Sequence, residues 1–114
     1  MSAIISEPGR SARIGTRFHK GLVTAELNES SLDFSIRLFG IKSQTLLQIP
    51  VSQIVSMRRV NERGIESFEV SSEEQRNICW FDTTKPTDWE RALESVGIAI
   101  SGSFDVVANG EPER

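Results

Sequence analysis

The sequence has very few of the residues that build reactive or cross-linked sites. One cysteine, Cys79, and one histidine, His19, are present among 114 residues. A lone cysteine excludes an intramolecular disulfide and a zinc site built on cysteines, and it favours a reducing compartment such as the cytoplasm. A lone histidine cannot form a histidine cluster for a metal. Since no phosphate-binding glycine loop or nucleophile motif is present either, we expect no catalytic residue, cofactor or metal.

Positive charge and long apolar runs are also scarce. The chain has 13 lysines and arginines against 16 acidic residues, a net charge of −3. Binding to a nucleic-acid backbone requires a broad positive field, so nucleic acid is not an expected partner. A membrane-spanning helix requires about 18 consecutive apolar residues, and the sequence contains no such run.

The length and composition predict one globular domain. Hydrophobic residues make up 38% of the 114 residues, enough for a single packed core. Residues 1–10 contain a Pro-Gly pair and small polar residues, so we expect a flexible leader. The domain is expected over residues 11–100, followed by a polar C-terminal tail over residues 101–114.

The clearest predicted element is an amphipathic helix over residues 87–97. Its apolar stripe, at helical spacing, consists of Trp89, Ala92, Leu93 and Val96. Thr87 and Glu90 have the spacing of a capping box at the start of the helix. Gly97 is suited to the left-handed conformation that ends a helix. One apolar face predicts that this helix packs as a lid on the rest of the domain.

About seven short strands precede the helix. Alternation and turn residues predict strands over 11–19, 21–27, 32–38, 45–49, 53–60, 65–70 and 76–81. A short helix is the alternative for residues 53–60. In the first strand, the alternation places Phe18 on the same face as Ala12 and Ile14. The last strand is apolar on both faces, which favours a buried, unreactive Cys79.

This order of elements resembles the pleckstrin-homology (PH) superfold. Residues 47–55, which join two strands through Ile49 and Pro50, and the sequence Trp80-Phe81 followed by Trp89 are similar to small bacterial PH-like and GRAM-like domains. The resemblance implies a mostly β (β+α) fold, a PH-like bent sandwich of about seven antiparallel strands capped by one C-terminal amphipathic helix. It also implies a non-enzymatic interaction module.

The resemblance suggests a protein partner at the fifth strand. In PH-like folds that bind peptides, an extended segment can add to this strand, and an open strand edge offers free N–H and C=O groups. The candidate partner-binding residues are Met57, Arg58, Arg59 and Arg63. The same edge could bind a second copy of the chain, so a homo-oligomer is the other form of this prediction.

Peripheral membrane binding is the alternative function. Phosphoinositide-binding members of the superfold carry basic residues near the first hairpin, and this region contains Arg13, Arg17, His19 and Lys20. The segment 22–26 stands where the second half of that basic signature would lie, and it contains no basic residue. Under this alternative, the four basic residues near the first hairpin are the candidate lipid-headgroup contacts.

Overall fold

Strands account for most of the architecture. The computed structural model describes residues 3–39 and 41–106, which contain eight strands and one α-helix. The elements are β1 (Ile5–Ile14), β2 (Arg17–Leu27), β3 (Ser31–Leu38), β4 (Ile41–Pro50), a 3₁₀ turn (Val51–Gln53), β5 (Ile54–Glu62), β6 (Ile65–Ser72), β7 (Cys79–Thr83), α1 (Pro86–Ser95) and β8 (Ile100–Val106). The prediction of a mostly β fold with one helix is confirmed, although the helix is followed by an eighth strand.

The eight strands form one sheet in the order β4-β3-β2-β1-β7-β6-β5-β8. Neighbouring strands are antiparallel except β5 and β8, which are parallel. All of β8 except its first residue, Ile100, lies in the segment 101–114 that was predicted to be a polar tail, and β8 pairs with β5 from Met57 to Glu62. Parallel pairing needs a long connection, and the chain between β5 and β8 provides one that includes α1. Residues 107–114 lie outside the described residues.

The sheet curls around one hydrophobic core. Phe34 on β3 and Phe81 on β7 are three strand spacings apart, which would be about 14 Å in a flat sheet. Their ring centroids lie 5.3 Å apart, so the two halves of the sheet face each other across the core. Phe81 also contacts Phe68 and Trp89, with centroids 5.7 Å and 4.9 Å away. This aromatic cluster joins both halves of the sheet to α1.

The helix packs on the core as its apolar stripe predicts. Trp89, Ala92 and Leu93 are buried, and Val96 is partly buried against the same core. At the C-terminal end, Gly97 has φ +86° and donates its N–H to the carbonyl of Glu94, which confirms its predicted role.

The start of the helix differs from the prediction. Pro86 occupies the first turn, Lys85 is the N-cap residue, and no side chain caps the helix. Thr87 and Glu90 therefore lie inside the helix and form no capping box. Proline suits this position because its missing N–H is one that would have no partner within the helix.

The predicted leader over residues 1–10 is wrong for most of its length. Ile5 pairs with Leu27 and Glu7 with Ala25, so the first half of β1 is part of the sheet. The Pro-Gly pair that suggested flexibility lies at a register shift between Glu7 and Arg10. There it marks an irregularity within a strand, a position where both residue types are tolerated.

The predicted strand over residues 11–19 is divided by a hairpin turn. Gly15, with φ +61°, lies in this turn between β1 and β2. The turn interrupts the alternation, so Phe18 does not share the buried face of Ala12; its side chain is exposed. A single continuous strand was the wrong interpretation of this segment.

A buried carboxylate connects β1 to the start of the helix. Glu7 accepts hydrogen bonds from Thr83 Oγ1 (2.6 Å), Thr84 N (3.0 Å), Thr84 Oγ1 (2.8 Å) and Trp89 Nε1 (2.9 Å). The guanidinium of Arg10 lies 3.3 Å from the same carboxylate. Burial raises the pKa of Glu7, but these hydrogen bonds outweigh it and hold the pKa below its ordinary value.

Candidate functional site

An aromatic pair lies on the outer face of the sheet, opposite the core. The register pairs Phe18 on β2 with Arg13 on β1, and Arg13 with Trp80 on β7. Residues directly opposite each other on neighbouring strands lie on the same face of a sheet. The ring centroids of Phe18 and Trp80 are 6.2 Å apart, with 33° between the ring planes. The two rings thus meet across the strand that separates them.

Strand alternation places Trp80 on this outer face. Its neighbours Cys79 and Phe81 are fully buried in the core, so the side chain between them lies on the opposite side of the sheet. Phe18 is 57% exposed. The ring pair therefore presents apolar surface to solvent, mainly from Phe18, on hydrogen-bonded strands.

The depression around this pair is named here the aromatic groove. It has a volume of about 500 Å³, and its apolar lining is completed by Ile65, which is 54% exposed. Its lining residues are Ser11, Phe18, Lys20, Glu62, Arg63, Ile65, Ser67, Trp80 and Asp82. The groove combines an apolar centre with polar and charged side chains, the composition of a binding surface.

A tight turn supplies one wall of the aromatic groove. Arg63 and Gly64 connect β5 to β6 with φ angles of +54° and +84°. The side-chain oxygen of Asn61 accepts the N–H of Gly64 at 3.1 Å, which fixes the turn. Glu62 precedes this turn and Ile65 follows it, and both residues line the aromatic groove.

The charged residues of the aromatic groove are balanced in sign. Lys20 and Arg63 are basic, whereas Glu62 and Asp82 are acidic. Asp82 accepts the backbone N–H of Ser11 at 3.0 Å and so helps to hold β1 to β7. Lys20, Glu62 and Arg63 are exposed, which leaves charges of both signs facing solvent. At protein interfaces in general, charges around an apolar centre contribute to partner selection by complementarity.

The edge of β5, predicted as the site of partner binding, is not open. The strand β8 pairs along it, with Met57 opposite Ile100 and Arg58 opposite Ser101. Met57 is buried in the core cluster and cannot serve as an adaptable surface contact. The prediction failed because residues 101–106 showed no strand pattern in the sequence.

The two arginines of β5 have intramolecular partners. Arg59 lies 3.1 Å from Glu66 on β6 and 3.2 Å from Glu90 on α1. The hydrogen bond to Glu66 raises the pKa of Arg59 and lowers that of Glu66. Arg58 forms an ion pair of 2.9 Å with Glu69. Arg59 thus ties the sheet to the helix, and Arg63 is the one predicted partner-binding residue that lies at the aromatic groove.

The four candidate lipid contacts do not share one face. The Arg13 guanidinium donates hydrogen bonds to the β1–β2 turn and to the loop before β7. His19 lies within β2 opposite the buried Ala12, whereas the next residue, Lys20, lines the aromatic groove. Arg17 is exposed and precedes His19 by two positions, on the same side of the strand. The structure therefore brings Lys20, alone of the four, to the aromatic groove.

A second depression on the protein surface is polar. It has a volume of about 750 Å³. Its lining residues are Val55, Ser56, Arg58, Glu69, Ser71, Ser72, Glu73, Arg76, Asn77 and Ser101. Two arginines face two glutamates here, and Arg58 is paired with Glu69. This balance gives the polar depression no excess positive charge with which to hold an anion.

Cys79 is buried in the core, as the sequence indicated. Burial raises the pKa of its thiol to about 12, and Arg13 has a smaller opposing effect. A thiol with this pKa is protonated at neutral pH and is a poor nucleophile. Among the residues that the structure describes, no three histidine, cysteine or acidic side chains are grouped so as to hold a metal ion.

Comparison with known proteins gives no assignment. No protein-family model matches the chain, and no curated protein has a significantly similar sequence. Within residues 3–39 and 41–106, no helix is long and apolar enough to cross a membrane. Function is therefore inferred from the side chains of the aromatic groove.

Proposed function

We propose that the chain is a non-enzymatic, PH-like interaction module that binds a protein segment in the aromatic groove. The strand order from β4 to β5, the curled sheet and the helix that follows β7 support a PH-like assignment. The packing of Trp89 on Phe81 is consistent with a helix that closes one end of such a sheet. Function does not follow from a fold of this kind, so the binding proposal rests on the groove itself.

The observation that carries the proposal is the aromatic pair, of which Phe18 is exposed and Trp80 is half-buried. Phe18 and Trp80 are in ring contact on the outer face of the sheet, away from the core. Aromatic side chains contribute much of the energy at protein interfaces, since they bury large areas and lose little conformational entropy. A patch of this kind with a polar rim is typical of a protein-interaction site.

The chemistry of the aromatic groove defines the class of ligand. An apolar side chain can pack against Phe18, Trp80 and Ile65, while the surrounding charges pair with polar groups on either side of it. Because the supporting strands are hydrogen-bonded on both sides, the groove needs little rearrangement on binding. We expect peptide ligands with one or two large apolar anchors.

Peptide selection against the immobilised protein tests this proposal. Peptides from a random display library should include an apolar anchor, and their affinity should fall at least about tenfold for Phe18→Ser. The matched control is Val55→Ser, which shortens an exposed apolar side chain outside the aromatic groove. Circular dichroism and a thermal melt confirm that both variants are folded.

The outcome that contradicts the proposal is also specific. Selected peptides that bind Phe18→Ser and the wild type equally well would place the binding surface elsewhere. A loss of affinity in Val55→Ser but not in Phe18→Ser would point to the polar depression instead.

A further inference from the structure

The solvent-facing charges of the aromatic groove are predominantly positive. Asp82 accepts a backbone N–H of β1 at 3.0 Å and lies 3.5 Å from the guanidinium of Arg10, so its charge is already paired within the chain. Lys20, Arg63 and Glu62 are exposed. Within residues 3–39 and 41–106, none of these three side chains forms an ion pair. The exposed rim thus offers two positive charges against one negative charge.

Arg13 adds positive charge to the same face of the sheet. It is the cross-strand partner of both Phe18 and Trp80, so the three side chains lie on one face. Its guanidinium donates hydrogen bonds to the carbonyl of Gly15 and to Asn77, which are neutral acceptors. In the part of the chain that the structure describes, no carboxylate lies within ion-pair distance of Arg13. The aromatic pair is therefore accompanied by a cation that no acidic side chain neutralises.

The two exposed cations of the rim lie on opposite sides of the aromatic pair. Lys20 belongs to β2, and Arg63 lies in the turn between β5 and β6. The strands β1 and β7 lie between β2 and β6 in the sheet. Three strand spacings correspond to about 14 Å, which about four residues of an extended chain span. A single extended segment can therefore reach both cations while one of its side chains packs on the rings.

We propose that the aromatic groove binds an extended, acidic segment of another protein, in which a large apolar side chain stands between two carboxylates. This inference rests on the proposed function, since it names the ligand class of the same groove. The apolar side chain packs on Phe18, Trp80 and Ile65. One carboxylate pairs with Lys20 and the other with Arg63, so the two are about four residues apart in the segment.

A peptide fits this charge pattern better than an anionic membrane does. The exposed carboxylate of Glu62 lies on the rim next to Arg63, where a continuous layer of negative headgroups would meet it. The net charge of −3 also opposes the approach of the chain to such a layer. A peptide can place its carboxylates opposite the two cations and an uncharged or basic residue opposite Glu62. The mixed rim therefore favours a ligand whose charges stand at separate positions.

Fluorescence anisotropy with three labelled peptides and the full chain tests the inference. Each peptide has a central tryptophan, and the positions two before and two after it are both glutamate, both glutamine or both lysine. The glutamate peptide should bind at least about threefold more tightly than the glutamine peptide and at least about tenfold more tightly than the lysine peptide. This preference should diminish between about 0.1 M and about 1 M salt, because exposed charges are screened. Equal affinity of the three peptides at low salt would overturn the inference.

Substitution of the two cations assigns the contacts. Lys20→Gln should remove the preference for one of the two glutamates and Arg63→Asn the preference for the other, as measured with peptides that carry one glutamate and one glutamine. Asparagine is chosen because it tolerates the φ of +54° at this position. The matched control Arg17→Gln removes an exposed positive charge outside the groove and should leave both preferences unchanged. A thermal melt confirms that each variant is folded.

The control also provides a result that refutes the inference. If Arg17→Gln reduces the preference for glutamate as much as Lys20→Gln does, the preference reflects the overall charge of the chain and not the rim of the groove.

Other results separate this inference from the proposed function. If peptide binding depends on Phe18 but not on the glutamates, the groove remains a binding site and the inference alone fails. If the glutamate peptide binds Phe18→Ser and the wild type equally well, the groove is not its site and the proposed function fails too. Suppose instead that the glutamate peptide does not bind. Lys20-dependent binding to vesicles of mixed phosphatidylcholine and phosphatidylserine would then assign the groove to a lipid surface, and Arg63-dependent self-association in sedimentation velocity would assign it to a second copy; either refutes the inference.

Discussion

The indole of Trp89 donates its Nε1–H to Oε1 of Glu7 at 2.9 Å, which joins the first strand of the sheet to the helix 82 residues later. Both side chains are buried. The same carboxylate accepts hydrogen bonds from Thr83 and Thr84, at the end of β7. One ionised group thus fixes β1, β7 and α1 relative to each other.

Trp89→Phe removes the indole donor together with part of the buried ring, and both changes should destabilise the fold. In Trp89→Phe, the buried oxygen Oε1 of Glu7 loses the hydrogen bond from the indole. We therefore expect the free energy of unfolding to fall by about 1–3 kcal/mol. The matched control is Trp80→Phe, since Trp80 lies on the outer face and should change stability by less than about 1 kcal/mol. Chemical denaturation followed by circular dichroism measures both. Equal effects of the two substitutions would contradict the role assigned to the Glu7–Trp89 bond.

The low pKa of Glu7 predicts acid sensitivity of a definite sign. The folded pKa lies below the ordinary value, so the unfolded chain takes up a proton first as pH falls. The stabilisation is complete above the unfolded pKa of about 4.3 and is lost as pH falls through the folded value. The stability gap between the wild type and Glu7→Gln should therefore narrow from pH 6 to about pH 3. A gap that is constant or widens over this range would contradict a charged, hydrogen-bonded Glu7.

The thiol of Cys79 should be unreactive until the protein unfolds. Its pKa is raised to about 12 by burial, so almost no thiolate exists at pH 8, and the side chain has no solvent-exposed surface. Labelling with a chromogenic disulfide reagent should be slow in buffer and fast in denaturant. Rapid labelling of the native protein, with an unchanged circular dichroism spectrum, would show that β7 opens readily.

Local patterns in the sequence predicted the helix well. The stripe that begins at Trp89 and the terminating Gly97 depend on residues within three turns of each other, so both were visible without a structure. The role of Glu7 was not visible. Its hydrogen-bond partners follow it by 76 to 82 residues, and the adjacent Pro-Gly pair indicated a flexible leader.

The candidate site was predicted in part. Arg63 and Lys20 were named from the sequence, but for different functions and at different surfaces; the structure places both at the aromatic groove. Phe18 was not recognised as a surface residue, because the turn at Gly15 reverses the chain. The residues after the turn therefore lie on the opposite faces from those expected for one continuous strand. Met57 was assigned to an interface because β8, which covers the edge of β5, had no sequence signal. Errors of this kind arise where a distant strand decides which face or edge is free.

Fluorine NMR of the protein labelled with 5-fluorotryptophan tests the aromatic groove most directly. The chain has two tryptophans, one in the groove and one in the core, so the spectrum contains one reporter for each. The substitution Trp80→Phe assigns the two resonances. On titration with a peptide selected for binding, the resonance of Trp80 should shift to saturation while that of Trp89 stays in place. A peptide that binds while the Trp80 resonance does not move would contradict the claim that the aromatic groove is the binding site.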